Sequence, residues 1–390
     1  MSTEYKPLFN RTYLKVLMVG CLFAIYWLAN MGKPAERPQG QVDNQPLYWL
    51  QSTDSELPAQ LVILLPTASA FSAAEQNRQH WRASILSERL QQQLGTENPF
   101  QVQVADDYLS ISIEPGQQGL PALNTLWGGL SAPVDASQWQ AQLQQIQARR
   151  YLNDKATEQQ LLNTLGNQLG ARKPLPLAWS ELFSQPRFIL AGDDAQERAE
   201  ALSTQLPDSR QRSHSAPQAV LSGRTTLELS SSQSLLLIAS TLPARTEPDY
   251  VQQRLIAATS QLALQQFPVA RDIQYRLQWK SLHDGGYQAV IFASTLPLNN
   301  SQLEAFSQHI DAELVEQARQ QLRQYWQGIN KTAASQLGAL SLMARYQLPL
   351  DSLSQYQQQL DTLNTDEIAT ATRARFNPQQ QYSLRIDNQP

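Results

Sequence analysis

Stretches with strand-like and helix-like spacing of apolar residues follow one another along the chain. After residue 46 their order occurs twice. The predicted strands of the first half are 61–66, two short segments within 100–115 around a turn at Asp106 and Asp107, and 187–192. Its predicted helices are 73–94, 120–130, 137–152 and 157–169.

The second half repeats this order of elements. Its predicted strands are 234–240, 273–282, 287–295 and 381–386, and its predicted helices are 249–266, 300–314, 315–327 and 332–345. A polar stretch that contains proline and glycine, 206–224, separates the halves. The sequence therefore predicts an α+β protein with two domains of one topology, at 47–205 and 225–390, joined by a linker at 206–224.

The first 46 residues have a different pattern. Residues 16–31 contain no charged residue, and together with 12–15 they approach the roughly 20 residues that a membrane helix needs. Lys6, Arg11 and Lys15 precede most of this run, so the positive-inside rule keeps residues 1–11 in the cytoplasm. The polar segment 32–46 predicts a tether. We therefore expect a single-pass inner-membrane protein with a transmembrane anchor at 12–31 and a periplasmic body.

Two alternatives to the anchor stay open. A cleaved signal peptide has the same basic start and apolar run, although no A-x-A cleavage site follows here, and Tyr26 and Trp27 are typical of membrane-interface anchors. A lipidated cysteine would be Cys21, although most of the apolar run follows it instead of preceding it.

Composition narrows the classes of function. With 42% hydrophobic and 16% charged residues and a net charge of −4, the chain has the composition of a globular protein and has no long basic run for nucleic acid. Its single cysteine, Cys21, excludes a disulfide framework and a thiolate metal site in the body. No Walker A loop, dinucleotide glycine fingerprint or G-x-S-x-G elbow occurs.

Several segments resemble the insulinase (pitrilysin-type) zinc peptidase family. The stretch RTEPDY at 245–250 is similar to the R-x-D-P-D-Y that opens a helix in that family's second domain, and LPLD at 348–351 is similar to a turn near its end. The strand and helix at 186–202 resemble the close of the first domain. The resemblance covers roughly residues 46–388. It implies a clam-like α+β fold in which two such halves, or two such chains, enclose a peptide chamber.

The zinc motif of that family, H-x-x-E-H on the first-domain helix, is absent. His80 lies on the expected helix, but Trp81, Arg82, Ala83 and Ser84 follow it where the glutamate and the second histidine should be. The other histidines, His214, His283 and His309, form no helical ligand pair. Glu158 falls in the region of the family's third ligand and reads as an ordinary helix residue. The resemblance therefore implies a degenerate site with no metal and no cofactor.

Two roles for a second-domain arginine and tyrosine remain possible. In active members these residues hold the substrate carbonyl and stabilise the oxyanion, and they can be supplied by a separate chain. The matching segment offers Arg271 and Tyr275 as the first candidates and Tyr287 as the reserve, with Arg276 also available. The glycine and leucine that precede the family's tyrosine are missing, so structural roles in a half-buried strand are the competing interpretation.

Three hypotheses for function follow. The first is a catalytically inactive subunit that pairs with an active zinc peptidase at the periplasmic face of the inner membrane and helps to hold a peptide or unfolded protein. The second is a stand-alone extracytoplasmic scaffold that uses the same fold for protein binding. The third is a peptidase with unfamiliar ligands, which requires a site to be reinvented on a retained fold.

Overall fold

The computed structural model describes residues 37–53, 57–170, 179–207, 221–229, 231–269, 273–296 and 298–387. The predicted anchor at 12–31 lies outside these residues, and so do Cys21, His214 and Arg271. Within the described ranges, no helix combines the length and the apolar character that crossing a membrane requires.

The strands of the first half form one six-stranded sheet. They are β1 (Gln39–Gln41), β2 (Leu47–Gln51), β3 (Gln60–Pro66), β4 (Phe100–Val104), β5 (Tyr108–Ile113) and β6 (Arg187–Gly192). Their order across the sheet is β1-β2-β6-β3-β5-β4. The strand β2 runs parallel to β6, whereas the other neighbours pair antiparallel.

The second half forms a five-stranded sheet of matching topology. Its strands are β7 (Arg224–Thr226), β8 (Ser234–Leu242), β9 (Gln274–Leu282), β10 (Gly285–Ser294) and β11 (Tyr382–Ile386), in the order β7-β11-β8-β10-β9. Here β7 runs parallel to β11 and the other pairs are antiparallel. The two sheets therefore share the order and direction of five strands. Four strands in each half were predicted from the sequence, whereas β2 and β7 were not.

The predicted helices occur in the predicted order, and two further helices, at 352–362 and 365–375, were not predicted. Those of the first half are α1 (Ala73–Leu94), α2 (Leu123–Ser131), α3 (Ala136–Asp154), α4 (Thr157–Leu169) and α5 (Ala195–Leu202). Those of the second half are α6 (Tyr250–Gln266), α7 (Asn300–Ser307), α8 (Ala312–Gly328), α9 (Ala333–Tyr346), α10 (Ser352–Thr362) and α11 (Thr365–Arg375).

One predicted helix was too long. The sequence predicted a helix over 300–314, but α7 ends at Ser307 and α8 begins only at Ala312. The side chain of Asp311 accepts a hydrogen bond from the Leu314 N–H at 2.9 Å and caps the new helix. Apolar spacing did not reveal the break, because Ile310 within it is fully buried and continues the helical pattern.

Each sheet is covered on one face by helices of its own half. The first sheet packs against α1, α2 and α5, and the second against α6, α7, α8, α10 and α11. The central strands contain continuous runs of buried apolar residues, such as 61–65 and 235–239, so both faces of each sheet are apolar and need a cover. The second cover comes from the other half of the chain.

Helices α4 and α9 are exchanged between the halves. Leu161, Leu165 and Leu169 of α4 pack on the second sheet, in one cluster with Leu237 and Ile291. In the reverse direction, Ala333, Leu340 and Ala344 of α9 pack on the first sheet. Full burial of a leucine contributes about 1.5–3 kcal/mol, so each half depends on a helix from the other.

Candidate functional site

Helix α1 is the helix on which the resemblance to the insulinase family places the zinc motif. It begins at Ser72, which forms a capping box with Glu75: the Glu75 N–H donates to Ser72 Oγ at 3.3 Å, and the Ser72 N–H donates to Glu75 Oε2 at 2.9 Å. The helix start is therefore well defined. His80 follows within two turns and its side chain is exposed.

The inward positions of α1 serve the fold. The Gln79 side chain is buried and donates hydrogen bonds to Thr67 Oγ1 and to the carbonyl oxygen of Ala68. The indole ring of Trp81 packs edge-on against Trp179, with 6.0 Å between the ring centroids. Gln79 thus ties the helix to the loop after β3, and Trp81 fills the core next to it. Across the described ranges, no group of three or more His, Cys, Asp or Glu side chains is arranged to hold a metal ion.

Glu158, which falls in the region of the family's third ligand and was interpreted as an ordinary helix residue, forms an ion pair between the halves. Its Oε1 atom lies 2.8 Å from Arg276 Nη1 on β9, and the two side chains are 39% and 58% exposed. Water screens such a pair, and exposed pairs of this kind contribute at most about 1 kcal/mol. Glu158 therefore joins α4 to the sheet that α4 covers.

The two described tyrosine candidates lie on opposite faces of the second sheet. Tyr275 pairs with Phe292, whose ring lies in the cluster with α6 and α8, whereas Tyr287 pairs with Lys280 and lies in the cluster with α4. Directly paired residues of antiparallel strands point to the same face, so Tyr275 and Tyr287 cannot serve one site together. Tyr275 is 38% exposed and Tyr287 is 5% exposed. Arg271 lies outside the described residues.

The buried Tyr287 hydroxyl keeps its proton. It donates to Gln278 Oε1 at 3.1 Å. Burial raises the pKa of Tyr287 well above its usual range, and the negative charge of Asp106 raises it further. Tyr287 is a neutral, satisfied core hydroxyl, so of these two candidates Tyr275 is the one that another molecule can reach.

A polar cluster that no sequence motif indicates lies where the two halves meet. The β4–β5 turn carries Asp106 and Asp107, and the equivalent β9–β10 turn carries His283. Asp107 Oδ2 accepts the His283 N–H at 2.9 Å, and Lys280 Nζ lies 2.8 Å from Asp106 Oδ1. The tips of the two repeated hairpins therefore bind each other. We call Asp106, Asp107, Lys280, His283, Arg345 and Tyr346 the hairpin cluster.

The exchanged helix α9 completes the hairpin cluster. Arg345 Nη2 donates to Asp107 Oδ1, and the Tyr346 hydroxyl lies 3.1 Å from Asp107 Oδ2. The guanidinium of Arg345 also lies 3.8 Å from the ring centroid of Tyr108. Burial, followed by the charge of Asp107, raises the pKa of Tyr346 far above its usual range. The Asp107 carboxylate is thus surrounded by three donors of this chain, which is the arrangement of a structural clasp.

The remaining histidines take local roles. His283 Nδ1 lies 2.8 Å from Asp284 Oδ1 within the β9–β10 turn. The His309 ring stacks on Phe267, with 4.7 Å between ring centroids, in the break between α7 and α8. His283 and His309 therefore make separate contacts, and His80 belongs to no group of metal ligands among the described residues.

Comparisons with known proteins extend this picture. No protein-family model matches the sequence, and no curated protein matches it. Among solved structures, the peptidase M16 inactive domain from Pseudomonas fluorescens is similar, with a TM-score of 0.65 at 14% identity over 91% of this chain and 98% of that chain. A protease from Helicobacter pylori gives 0.65 at 12% identity over 90% and 99% of the two chains.

A longer protein is matched over half of its length. The ferredoxin protease FusC, solved as a mutant in complex with Arabidopsis ferredoxin, gives a TM-score of 0.57 at 13% identity, over 91% of this chain and 48% of that chain. Likeness at such low identity shows the fold. The chain therefore has the insulinase-type peptidase M16 fold, and the structures that it resembles include an M16 domain described as inactive.

Proposed function

We propose that this chain is a non-catalytic subunit that pairs with a second insulinase-type chain carrying the intact zinc motif, and that it completes the peptide chamber of that partner. One observation carries the proposal. The chain spans almost all of the inactive M16 domain from Pseudomonas fluorescens but only 48% of the FusC chain. This chain thus corresponds to about half of a peptidase of the length of FusC. Half of a chamber needs a second half in order to enclose a peptide.

The residues of the zinc helix support the same proposal. Gln79 and Trp81 of α1 are committed to hydrogen bonding and core packing. A subunit that acts through its shape and surface needs the fold but does not need the metal ligands. The proposed place of action is the periplasmic face of the inner membrane, and it rests on the apolar run at 12–31 and the basic residues before it.

Co-purification tests the pairing. The full chain, carrying an affinity tag, is extracted from native membranes, and co-eluting proteins are identified. We expect a chain with an H-x-x-E-H motif to co-elute in a fixed ratio. Elution without any such chain would contradict the pairing and favour the stand-alone scaffold.

A tyrosine exchange tests direct participation of this subunit in cleavage. In the purified pair, Tyr275→Phe removes the exposed candidate donor, and Tyr325→Phe on α8, which is also exposed, is the matched control. A donor aligned with the developing oxyanion contributes about 3 kcal/mol, which corresponds to roughly a 100-fold drop in kcat. If both variants cleave like the parent pair while remaining assembled, this subunit has a structural role only. The same comparison applies to Arg271→Ala, with Arg149→Ala at an exposed position of α3 as its control.

A further inference from the structure

Strand β1 fixes part of the predicted tether to the body. The segment 32–46 was predicted to be free of regular structure, but Gln39–Gln41 pairs antiparallel with β2. The indole of Trp49 lies against Gly40, where a Cβ atom would come within 2.6 Å of the ring, so glycine allows this close approach. The predicted tether is therefore much shorter than its sequence indicated.

Contacts just before β1 extend this attachment. The carbonyl oxygen of Pro38 accepts the Gln51 N–H at 2.8 Å. Arg37 Nη1 donates to Gln336 Oε1 of the exchanged helix α9 at 3.4 Å. The chain is thus held to the body from Arg37 onward.

The distance between anchor and body follows from chain length. The predicted membrane span ends at Met31, and six Cα-to-Cα steps lead to Arg37, which can span at most about 20 Å. If the tether had extended to residue 46, the reach to Leu47 would have been about 55 Å. The β1 edge is therefore restricted to a much narrower layer above the membrane.

The order of the first sheet places a second edge far from this point. β1 and β4 are the two edges, five strand spacings apart, which corresponds to about 24 Å. Building on the periplasmic location proposed above, we propose that the β1 edge is the membrane-proximal edge of this protein. Arg37 stays within about 20 Å of the predicted span in every orientation, and β1 begins two residues later, whereas no such short connection holds the β4 edge there.

Charge indicates that the tether, and not adhesion to lipid, keeps this edge near the membrane. Helix α5 packs beside β2 and exposes Glu197 and Glu200, and its Arg198 is paired with Asp194 at 2.8 Å. Anionic headgroups repel such a surface. Lengthening the tether should therefore release the edge from the membrane.

Energy transfer to labelled lipid tests the proposal. Two exposed glutamines on opposite edge strands are matched sites: Gln41→Cys on β1 and Gln103→Cys on β4, each in the full chain with Cys21→Ser. A donor dye is attached to the cysteine, and the protein is reconstituted into vesicles that contain acceptor-labelled phospholipid. We expect roughly twofold or greater transfer from position 41 relative to position 103, given the about 24 Å between the edges. Equal transfer, or stronger transfer from 103, would overturn the proposal.

Inserting residues into the tether tests whether its short length, and not a chance orientation of the body, keeps the β1 edge near the membrane. Ten Gly/Ser residues inserted after Lys33 add up to about 34 Å of reach, so transfer from position 41 should fall to that from 103. Unchanged transfer would show that the short tether does not set the distance and would also refute the proposal. If the chain fails to float with vesicles, the anchor itself is wrong and the proposal falls with it. The pairing with a zinc-bearing chain is judged separately by co-elution.

Discussion

Replacing Asp107 with alanine removes the carboxylate that joins both hairpin tips to helix α9. Its side chain is 1% exposed, and the side chain of its partner Arg345 is 16% exposed. In Asp107→Ala, the guanidinium loses its counter-charge, and the Tyr346 hydroxyl and the His283 N–H lose an acceptor. The folded state thus keeps a largely buried cation without its partner.

The size of the effect follows from this burial. Breaking a buried ion pair by removing one partner costs about 3–5 kcal/mol. Because Arg345 is partly hydrated, we expect the lower end, about 3 kcal/mol. The matched control is Asp361→Ala, which removes the carboxylate of an ion pair with Arg323 at 2.6 Å whose side chains are 56% and 36% exposed. Exposed pairs contribute about 1 kcal/mol or less.

Guanidinium unfolding of residues 37–390, followed by tryptophan fluorescence, measures both variants. We expect a single transition for the parent and a loss of about 3 kcal/mol in the free energy of unfolding for Asp107→Ala. Asp107→Asn should fall between, since the amide oxygen still accepts hydrogen bonds. If Asp107→Ala loses no more than Asp361→Ala, the hairpin cluster is not a clasp and the reasoning is refuted.

Three further outcomes are expected. Leu161→Ala in α4 and Leu340→Ala in α9, each fully buried on the sheet of the other half, should each cost about 2–5 kcal/mol and keep one unfolding transition; a separate transition for one half would contradict the exchange. The pKa values of Tyr287 and Tyr346 are raised in the folded state, so at high pH unfolding releases their protons. The free energy of unfolding should therefore keep this contribution in full below pH about 10 and fall above it, and the urea midpoint of Tyr287→Phe should decline less with rising pH than that of the parent. The body at residues 40–390 should retain no zinc after dialysis and cleave no unfolded peptide alone, and one tightly held zinc per chain with chelator-sensitive cleavage would revive the peptidase hypothesis.

Elements with local signals were predictable from the sequence. The bounds of α1 agree with the prediction, because the capping box of Ser72 and Glu75 and the glycine at 95 mark its two ends. The alternation in β4 and β5 is equally local. By contrast, β1 has three residues, too few for a period, and it forms only because β2 offers an edge with Trp49 beside Gly40.

The candidate site was predictable only where a motif could be checked. The absence of a histidine pair can be read directly from the sequence of α1, and the structure adds that Gln79 and Trp81 beside His80 serve the fold. The hairpin cluster could not be found in this way, because Asp107 and Arg345 are 238 positions apart. Only the turn at Asp106 and Asp107 was predicted. The partners of this turn lie on the equivalent hairpin of the second half and on the exchanged helix α9. Neither contact leaves a pattern in the sequence near Asp107.

The exchange of α4 explains how the fold can persist without the zinc site. Leu161, Leu165 and Leu169 recur every four residues, a spacing that predicts an apolar helix face but does not say which sheet it covers. In the structure that face covers the second sheet, and Glu158 on the same helix pairs with Arg276 of that sheet. The helix is therefore required for packing whether or not it supplies a metal ligand. Loss of the ligands leaves this burial in place, so the retained helix is a consequence of the exchanged core and not a sign of remaining metal chemistry.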